Sequence, residues 1–208
     1  MKMIILHPND YPDFFEEMRA RGKVVAVSGY FDPPTPTHLI YFRAAKELGD
    51  ILIVMLNTDE QLLMKRRGTP LEGRIRYPFM DRAFIVNEIR TTDVVVQSID
   101  TGRGIAETLR AVRPHIFAKG GDRDITNIPQ EEINVCKEIK CEIIGGVGGG
   151  RNDKTHSSSW YNWEDTLEIT KHCDRCGNTV VIKPVVVTLD YIAYGSNRDF
   201  CTKCEAPW

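Results

Sequence analysis

At 208 residues the chain is long enough for one medium domain, or for one domain with a small appendage, and its 42% apolar content can fill a sizeable core. Its 27 Lys and Arg residues against 29 Asp and Glu leave a net charge of −2, which speaks against a general polyanion binder, so nucleic acid is not expected as a partner. No segment approaches the ~20 apolar residues of a membrane helix, and "MKMIILHPND" holds an apolar run too short for a secretory signal, so a cytoplasmic protein with no membrane partner is expected.

In "YPDFFEEMRARG", Phe14, Phe15 and Met18 share one helical face and Gly22 is a stop, which predicts a short amphipathic helix. Val24–Ser28 reads as a buried strand, Thr37–Leu48 as a helix ended by Gly49, and Ile51–Leu56 as the next strand. Asp59–Met64 reads as a short helix leading into the basic loop "KRRG". A longer helix is expected within Leu71–Ile89, either starting or kinking at Pro78. Then follow a strand at Asp93–Gln97, a helix at Gly104–Val112, a strand at His115–Lys119, a helix around Glu131–Ile139 and a strand at Cys141–Gly146.

Strands alternating with helices through short loops imply an α/β domain with a parallel sheet covered on both faces. Ligands of such sheets bind beyond the carboxyl ends of the strands, where strand order reverses. The turn "GYFDPPTPTH", the "NTDE" turn, "KGGD" and the loop "GGGRNDKTHSSS" all follow strands, so they are expected on one rim. In the first of these, His38 opens a helix beside exposed backbone N–H groups and the positive end of the helix dipole, a place that suits an anion such as phosphate, and Thr35 and Thr37 add hydroxyls. The bland reading is that three prolines stiffen the loop while His38 caps or packs. Singly, "MKRRG" reads as a solvated basic loop, "KGGD" as a glycine turn and "SSS" as a helix cap.

"GYFDPPTPTH" resembles the G-x-F-D-x-x-(H/T)-x-G-H motif of the nucleotidyltransferase (cytidylyltransferase-like) superfamily, matching at Gly29, Phe31, Asp32, Thr35 and His38, with Thr37 where glycine is usual. "RAAKELGDILIVMLNTDEQLLMKRRGTPLEGR" is similar to glycerol-3-phosphate cytidylyltransferase and to the adenylyltransferase half of ADP-heptose synthase, and "RPHIFAKGGD" to the latter. "KTHSSSW" stands where the family places its phosphate loop, matching loosely. The resemblance covers the first ~165 residues as an order of loops. It implies a Rossmann-like nucleotidyltransferase domain over residues 1–165 and places residues 166–208 outside it.

The activity so implied moves a nucleoside monophosphate from an NTP to a phosphorylated small molecule, such as a sugar or polyol phosphate, releasing pyrophosphate. "KGGD" favours ATP over CTP. By the same resemblance His38 donates to α-phosphate oxygens, Thr35 does part of the work of a missing histidine, Lys65 and Arg67 are phosphate cations, and Arg74 holds the triphosphate or the acceptor. Gly29, Phe31, Asp32, Lys119, Gly120, Asp122, Ser157, Ser158 and Ser159 are the remaining nucleotide-binding positions implied. Mg²⁺ would be held mainly by phosphates and water. Threonine at positions 35 and 37 keeps two alternatives open: an NMN- or phosphopantetheine-type adenylyltransferase, and a non-catalytic nucleotide- or RNA-binding module. Related enzymes are often dimers, so a homodimer is a further expectation.

In the last 43 residues, Cys173-x-x-Cys176-Gly and Cys201-x-x-Cys204 look like two zinc knuckles, each placing two thiolates about one turn apart. Four such sulfurs suit tetrahedral structural Zn²⁺, and "TVVIKPVVVTLDYIAY" between them is expected to supply the hairpin of a zinc ribbon. Two chance pairs or a redox dithiol are the alternatives, with His172 as a substitute ligand. Cys136 and Cys141 read as core residues.

Overall fold

The structure, a computed structural model, describes residues 2–69, 71–121 and 127–149, together with the backbone of two strands at 169–172 and 179–182. The chain divides into two compact units, Met1–Ser158 and Ser159–Trp208; the sequence reading sets that division a few residues later, at 165/166.

The first unit contains strands β1 (Met3–Ile5), β2 (Val24–Gly29), β3 (Ile51–Leu56), β4 (Val94–Gln97), β5 (Ile116–Gly120) and β6 (Glu142–Val147). They form one sheet in the order β1-β4-β3-β2-β5-β6, with every pairing parallel. Its helices are α1 (Pro12–Arg21), α2 (Pro36–Lys46), α3 (Asp59–Arg66), α4 (Phe79–Glu88), α5 (Ala106–Val112) and α6 (Gln130–Glu138).

Continuous apolar runs such as "ILIVML" are what a strand buried on both faces requires. Alternate residues divide between two cores. Val24, Ala26, Ile53, Met55, Val94, Val96 and Phe117 pack with residues of α1, α5 and α6. Val25, Val27, Leu52, Val54, Leu56, Val95, Ile116 and Ala118 pack with α2 and α4. The division follows from handedness: connections that step from β2 through β3 to β4 carry their helices on one face, and those that step back through β5 to β6 carry theirs on the other. Strand order therefore reverses about β2, between β3 and β5, and the crevice of such a sheet opens at the carboxyl ends of β2 and β5.

At the opposite rim, side chains replace missing ladder partners. Asp50 Oδ2 accepts from Lys23 N at 2.7 Å, Asp93 Oδ2 from Leu52 N at 2.7 Å, and His115 Nδ1 from Val24 N at 3.0 Å. Burial lowers the His115 pKa, and the charges of Arg19 and Lys23 add to this.

Several boundaries differ from the sequence reading. β1 is three residues long, too short to show a period, and is fixed by pairing with β4. α3 extends through Lys65 and Arg66, so half of "KRRG" is helix rather than loop. The choice at Pro78 resolves to a helix start, with Pro78 as the cap of α4.

In the second unit, β7 (Ile169–His172) and β8 (Thr179–Ile182) pair antiparallel, with His172 opposite Thr179. Cys173, Cys176 and Gly177 fall in the connection between them. The first strand expected in the 179–194 hairpin is β8, paired with β7; the rest of that expected hairpin lies outside the described residues. The four candidate zinc ligands Cys173, Cys176, Cys201 and Cys204 lie outside the described residues.

Candidate active site

The candidate site is built on the turn that joins β2 to α2. Gly29 ends the strand because no side chain fits there: a Cβ would lie 2.6 Å from the Phe31 ring. Phe31 takes a left-handed backbone (φ 45°) and is buried, and a cis Asp32–Pro33 bond follows. Its ring meets those of His38 and Phe42 edge-on, each at 4.9 Å between centroids. Phe31, expected among the nucleotide-binding positions, is thus placed as the floor on which His38 rests.

α2 begins at Pro36 with Thr35 as its cap. The backbone N–H of Thr35 donates to His38 Nδ1 at 3.0 Å, and Thr35 Oγ1 lies 3.1 Å from the same nitrogen. A backbone amide can only donate, so Nδ1 carries a lone pair and the neutral imidazole holds its proton on Nε2. The cap therefore selects the tautomer that makes Nε2 a donor. Thr35 is buried, and its place is beside the imidazole.

Asp32 is buried and its oxygens are engaged within the chain. Oδ1 accepts from Tyr77 N at 2.8 Å, while Oδ2 accepts from Arg76 N at 3.1 Å and pairs with Arg66 Nη2 at 2.9 Å. Arg66 also donates to the Arg74 carbonyl. Asp32 thereby fastens the 74–77 segment to the turn. The Arg66 guanidinium pairs with the carboxylate while that of Arg76 donates to the Asp32 carbonyl at 3.3 Å, so two guanidiniums face one carboxylate-bearing residue and the cluster keeps a surplus positive charge. Burial lowers the Arg76 pKa most, the Arg66 charge lowers it further, and Asp32 opposes both.

Lys65, in the last turn of α3, holds its ammonium 4.3 Å from the centre of the Tyr30 ring. Tyr30 in turn donates its hydroxyl to the Arg103 carbonyl at 3.2 Å. Arg67, the C-cap of α3, and Arg74 are exposed, and the Arg74 carbonyl accepts from Arg66.

Two buried polar residues tie the loops together. Arg82, wholly buried in α4, donates through Nε to Tyr77 O at 3.0 Å, through Nη1 to Tyr30 O and Asn57 O at 2.6 and 3.0 Å, and through Nη2 to Asp59 Oδ1 at 2.6 Å. Gln61 donates to the carbonyls of Gly102 and Gly104 at 2.6 and 2.9 Å and accepts from Asn57 and Thr58. The loops after β2, β3 and β4 are thus one connected rim.

Lys119, expected among the nucleotide-binding positions, stands near the carboxyl end of β5. It continues the face of Phe117, lies 4.2 Å from that ring's centre, and pairs with Glu132 at 2.9 Å within the layer containing α6. Its Nζ also lies 3.5 Å from Ser28 Oγ. Gly120 sits 3.9 Å, measured to a built Cβ, from the Tyr41 ring. Beyond β6, Gly148 (φ 80°) passes so near α2 that a Cβ there would lie 2.8 Å from Tyr41 Cα, which brings the glycine-rich loop to the helix that carries His38. Asp122, Ser157, Ser158 and Ser159 lie outside the described residues.

The structure therefore gathers His38, Thr35, Phe31, Asp32 and Gly29 in one turn, and joins Lys65 to it through Tyr30. Sequence reasoning missed Tyr30, Gln61, Arg66, Arg76 and Arg82. Arg82 had a signal: with Phe79, Ala83 and Val86 it occupies the buried stripe of α4, where an arginine must be paired.

A parallel sheet with reversed strand order, a donor histidine capping the helix after its central strand and surplus guanidinium charge nearby together define an α/β domain suited to a nucleotide's phosphates. The cytidylyltransferase-like family profile matches residues 26–171, and the chain belongs to that family. It is similar to the bifunctional protein HldE of Pelobacter propionicus, 33% identical over 137 residues that make up 64% of this chain and 26% of that protein. FAD synthase of Pyrococcus abyssi is 37% identical over 120 residues, 58% of this chain and 77% of that protein. A lipopolysaccharide core biosynthesis protein of Thermoplasma volcanium, of known structure, is 21% identical with a TM-score of 0.48, over 60% of this chain and 95% of that one. The chain spans about a quarter of the length of the bifunctional relative. Among the described residues no helix is long and apolar enough to cross a membrane.

Proposed function

We propose that the protein transfers a nucleoside monophosphate from an NTP, with ATP preferred, to the phosphate of a small-molecule acceptor. The observation that carries this reading is the capped His38: the Thr35 amide holds Nδ1 as acceptor and so leaves the hydrogen on Nε2. An acceptor phosphate oxygen attacks the α-phosphorus, the new P–O bond forms as the bond to the β-phosphate oxygen breaks, and pyrophosphate leaves. The chain needs no nucleophile of its own. Its part is to position the reactants and to stabilise charge growing on the phosphate oxygens. His38 Nε2–H supplies one donor there, and Lys65, Arg67 and Arg74 supply cations to the triphosphate or acceptor.

Mg²⁺ bound to the triphosphate would neutralise part of its charge. Asp32, in the turn, and Asp59, tied to it through Arg82, are committed to Arg66 and Arg82, which fits an ion carried mainly by phosphates and water. The likeness to an FAD synthase supports ATP, because FAD contains an adenosine monophosphate unit joined to a second phosphate. It also favours a second reading of the acceptor, as a mononucleotide rather than a sugar or polyol phosphate. In the second unit we propose a structural Zn²⁺ on Cys173, Cys176, Cys201 and Cys204; in the sequence the first pair falls between β7 and β8, which pair with each other.

The deciding experiment follows pyrophosphate release with each NTP, Mg²⁺, and a panel of sugar and polyol phosphates, NMN, phosphopantetheine and FMN. Turnover with ATP and one phosphorylated acceptor is expected. Binding of NTP without pyrophosphate release across that panel would favour the non-catalytic module instead. Metal analysis of the purified chain should find one zinc, released on thiol modification.

A further inference from the structure

Cys136 and Cys141 stand apart from the chemistry proposed for the crevice. They lie at the end of α6 and the start of β6, at the rim of the sheet opposite the carboxyl ends. α6 ends in a complete Schellman motif. Ile139 is the C-cap, Lys140 takes the left-handed conformation (φ 56°), Cys141 N–H donates to Cys136 O at 2.8 Å, and Lys140 N–H donates to Lys137 O at 3.3 Å. This motif brings the side chain three residues before the cap against the one two residues after it. In this chain those two positions are Cys136 and Cys141. Both are free and buried, with exposures of 1% and 8%.

Packing alone would ask only for two small apolar residues there. The thiols instead form an asymmetric pair. The Cys141 thiol, whose sulfur also lies 3.6 Å from the Glu142 carbonyl oxygen, draws the Cys136 thiol pKa down against the effect of burial, while Cys136 and then burial push the Cys141 thiol up. One helical turn before Cys136, Glu132 holds Lys119 at 2.9 Å; the lysine's charge favours a Cys136 thiolate and the glutamate's opposes it. Lys140 and Glu142, either side of Cys141, are exposed, so the turn itself meets solvent.

We propose that Cys136 and Cys141 are a modification site, a dithiol that hydroperoxides convert reversibly to an intrachain disulfide. The Cys136 thiolate attacks the peroxide, the O–O bond breaks, and Cys136 becomes a sulfenic acid while water or an alcohol leaves. The Cys141 thiol then attacks that sulfur, forms the S–S bond and releases a second water. Two electrons pass from the thiols to the peroxide, and a thiol reductant restores the pair.

The test uses the full chain, reduced, freed of reductant, exposed to hydrogen peroxide, alkylated and digested with trypsin. Cleavage after Arg123, Lys137, Lys140 and Arg151 puts Cys136 in Asp124–Lys137 and Cys141 in Cys141–Arg151. The expected product is these two peptides joined, with the signal abolished by dithiothreitol. In Cys141→Ser, Cys136 should stop at a sulfenic acid trapped by dimedone; in Cys136→Ser, Cys141 should give at least tenfold less dimedone adduct. Recovery of both wild-type peptides separately alkylated, at peroxide exposure that fully oxidises free cysteine, would overturn the proposal. So would equal dimedone labelling of the two serine variants, or a Cys136 linked to any cysteine other than Cys141.

Discussion

Arg82→Met is the substitution on which the structural account of the rim can fail most plainly. Methionine keeps the unbranched stem but removes every donor, leaving three carbonyls (Tyr30, Asn57, Tyr77) and the Asp59 carboxylate without the guanidinium that now serves them. Breaking a buried ion pair by deleting one partner costs about 3–5 kcal/mol, and an orphaned buried carbonyl about 1–3 kcal/mol. These do not add, because loops freed from Arg82 can turn some carbonyls to water, and Asp59 at 28% side-chain exposure is already partly solvated. The expected loss is therefore about 3–5 kcal/mol, a large share of a typical ~5–15 kcal/mol domain stability. Arg82→Lys keeps the charge but offers one ammonium in place of a fork, so it should fall between wild type and Arg82→Met. Urea unfolding followed by circular dichroism reads both. A loss below about 1 kcal/mol for Arg82→Met would refute the claim that this residue holds the rim together.

At His38 the two jobs of the imidazole separate. His38→Asn retains an acceptor near the Nδ1 position and should unfold within about 1 kcal/mol of wild type, yet lose roughly 10²–10³-fold in kcat as an oxyanion-type donor is removed; His38→Gln reverses the bias, keeping reach to the phosphates and losing the cap. Parity of kcat between His38→Asn and wild type would exclude the donor role. Tyr30→Leu removes the ring beneath Lys65 and should weaken NTP binding by roughly 2–5-fold, the worth of an exposed cation–π contact, while Tyr30→Phe should stay near wild type; calorimetric titration with a non-hydrolysable NTP distinguishes them. The lowered His115 pKa means that the unfolded chain binds the extra proton first, so its contribution to stability is complete above the unfolded value of about 6.5 and is lost as pH falls from there towards the folded value. His115→Asn keeps an acceptor for Val24 N–H without titrating, and should show a shallower fall in urea midpoint between pH 7.5 and 5.5; identical slopes would show that His115 carries none of it.

Much of the sheet was legible because double-sided burial writes itself as unbroken apolar runs, and β2, β3 and β6 fall within a residue or so of where those runs place them. β1 was not legible, since three residues carry no period and its place comes from pairing with β4, about ninety positions away. The position of His38 in the first turn of a helix was readable from its spacing after the strand. The partner that fixes its tautomer was not, because Thr35 contributes a backbone amide, which every residue type possesses. Arg66 shows the same limit from another side. In "KRRG" the sequence offers three consecutive cations of equal standing, and only the helical phase of α3 turns Arg66 inward to Asp32 while Lys65 and Arg67 stay outside.

That division of labour has a physical logic. A group that must donate to charge appearing only at the transition state works best when nothing has to reorganise to meet it. Here the residues named by the motif are held by residues outside it. Phe31 supports the imidazole, Asp32 anchors the 74–77 segment, and Arg82 binds the carbonyls of Tyr30, Asn57 and Tyr77 to one another across the carboxyl ends of two strands. The motif aspartate is thus better understood as part of the frame than as a contact to nucleotide, since its oxygens already meet a guanidinium and two amides. A carboxylate left open at that place would repel the phosphates, whereas one paired with Arg66, with the Arg76 guanidinium on its backbone carbonyl, leaves the neighbourhood positive. On this reasoning Asp32→Asn should harm the fold of the turn more than it harms affinity for the nucleotide in whatever fraction remains folded. An Asp32→Asn protein that is fully stable but no longer binds NTP would place the aspartate in direct contact with ligand and refute the framing role argued for it.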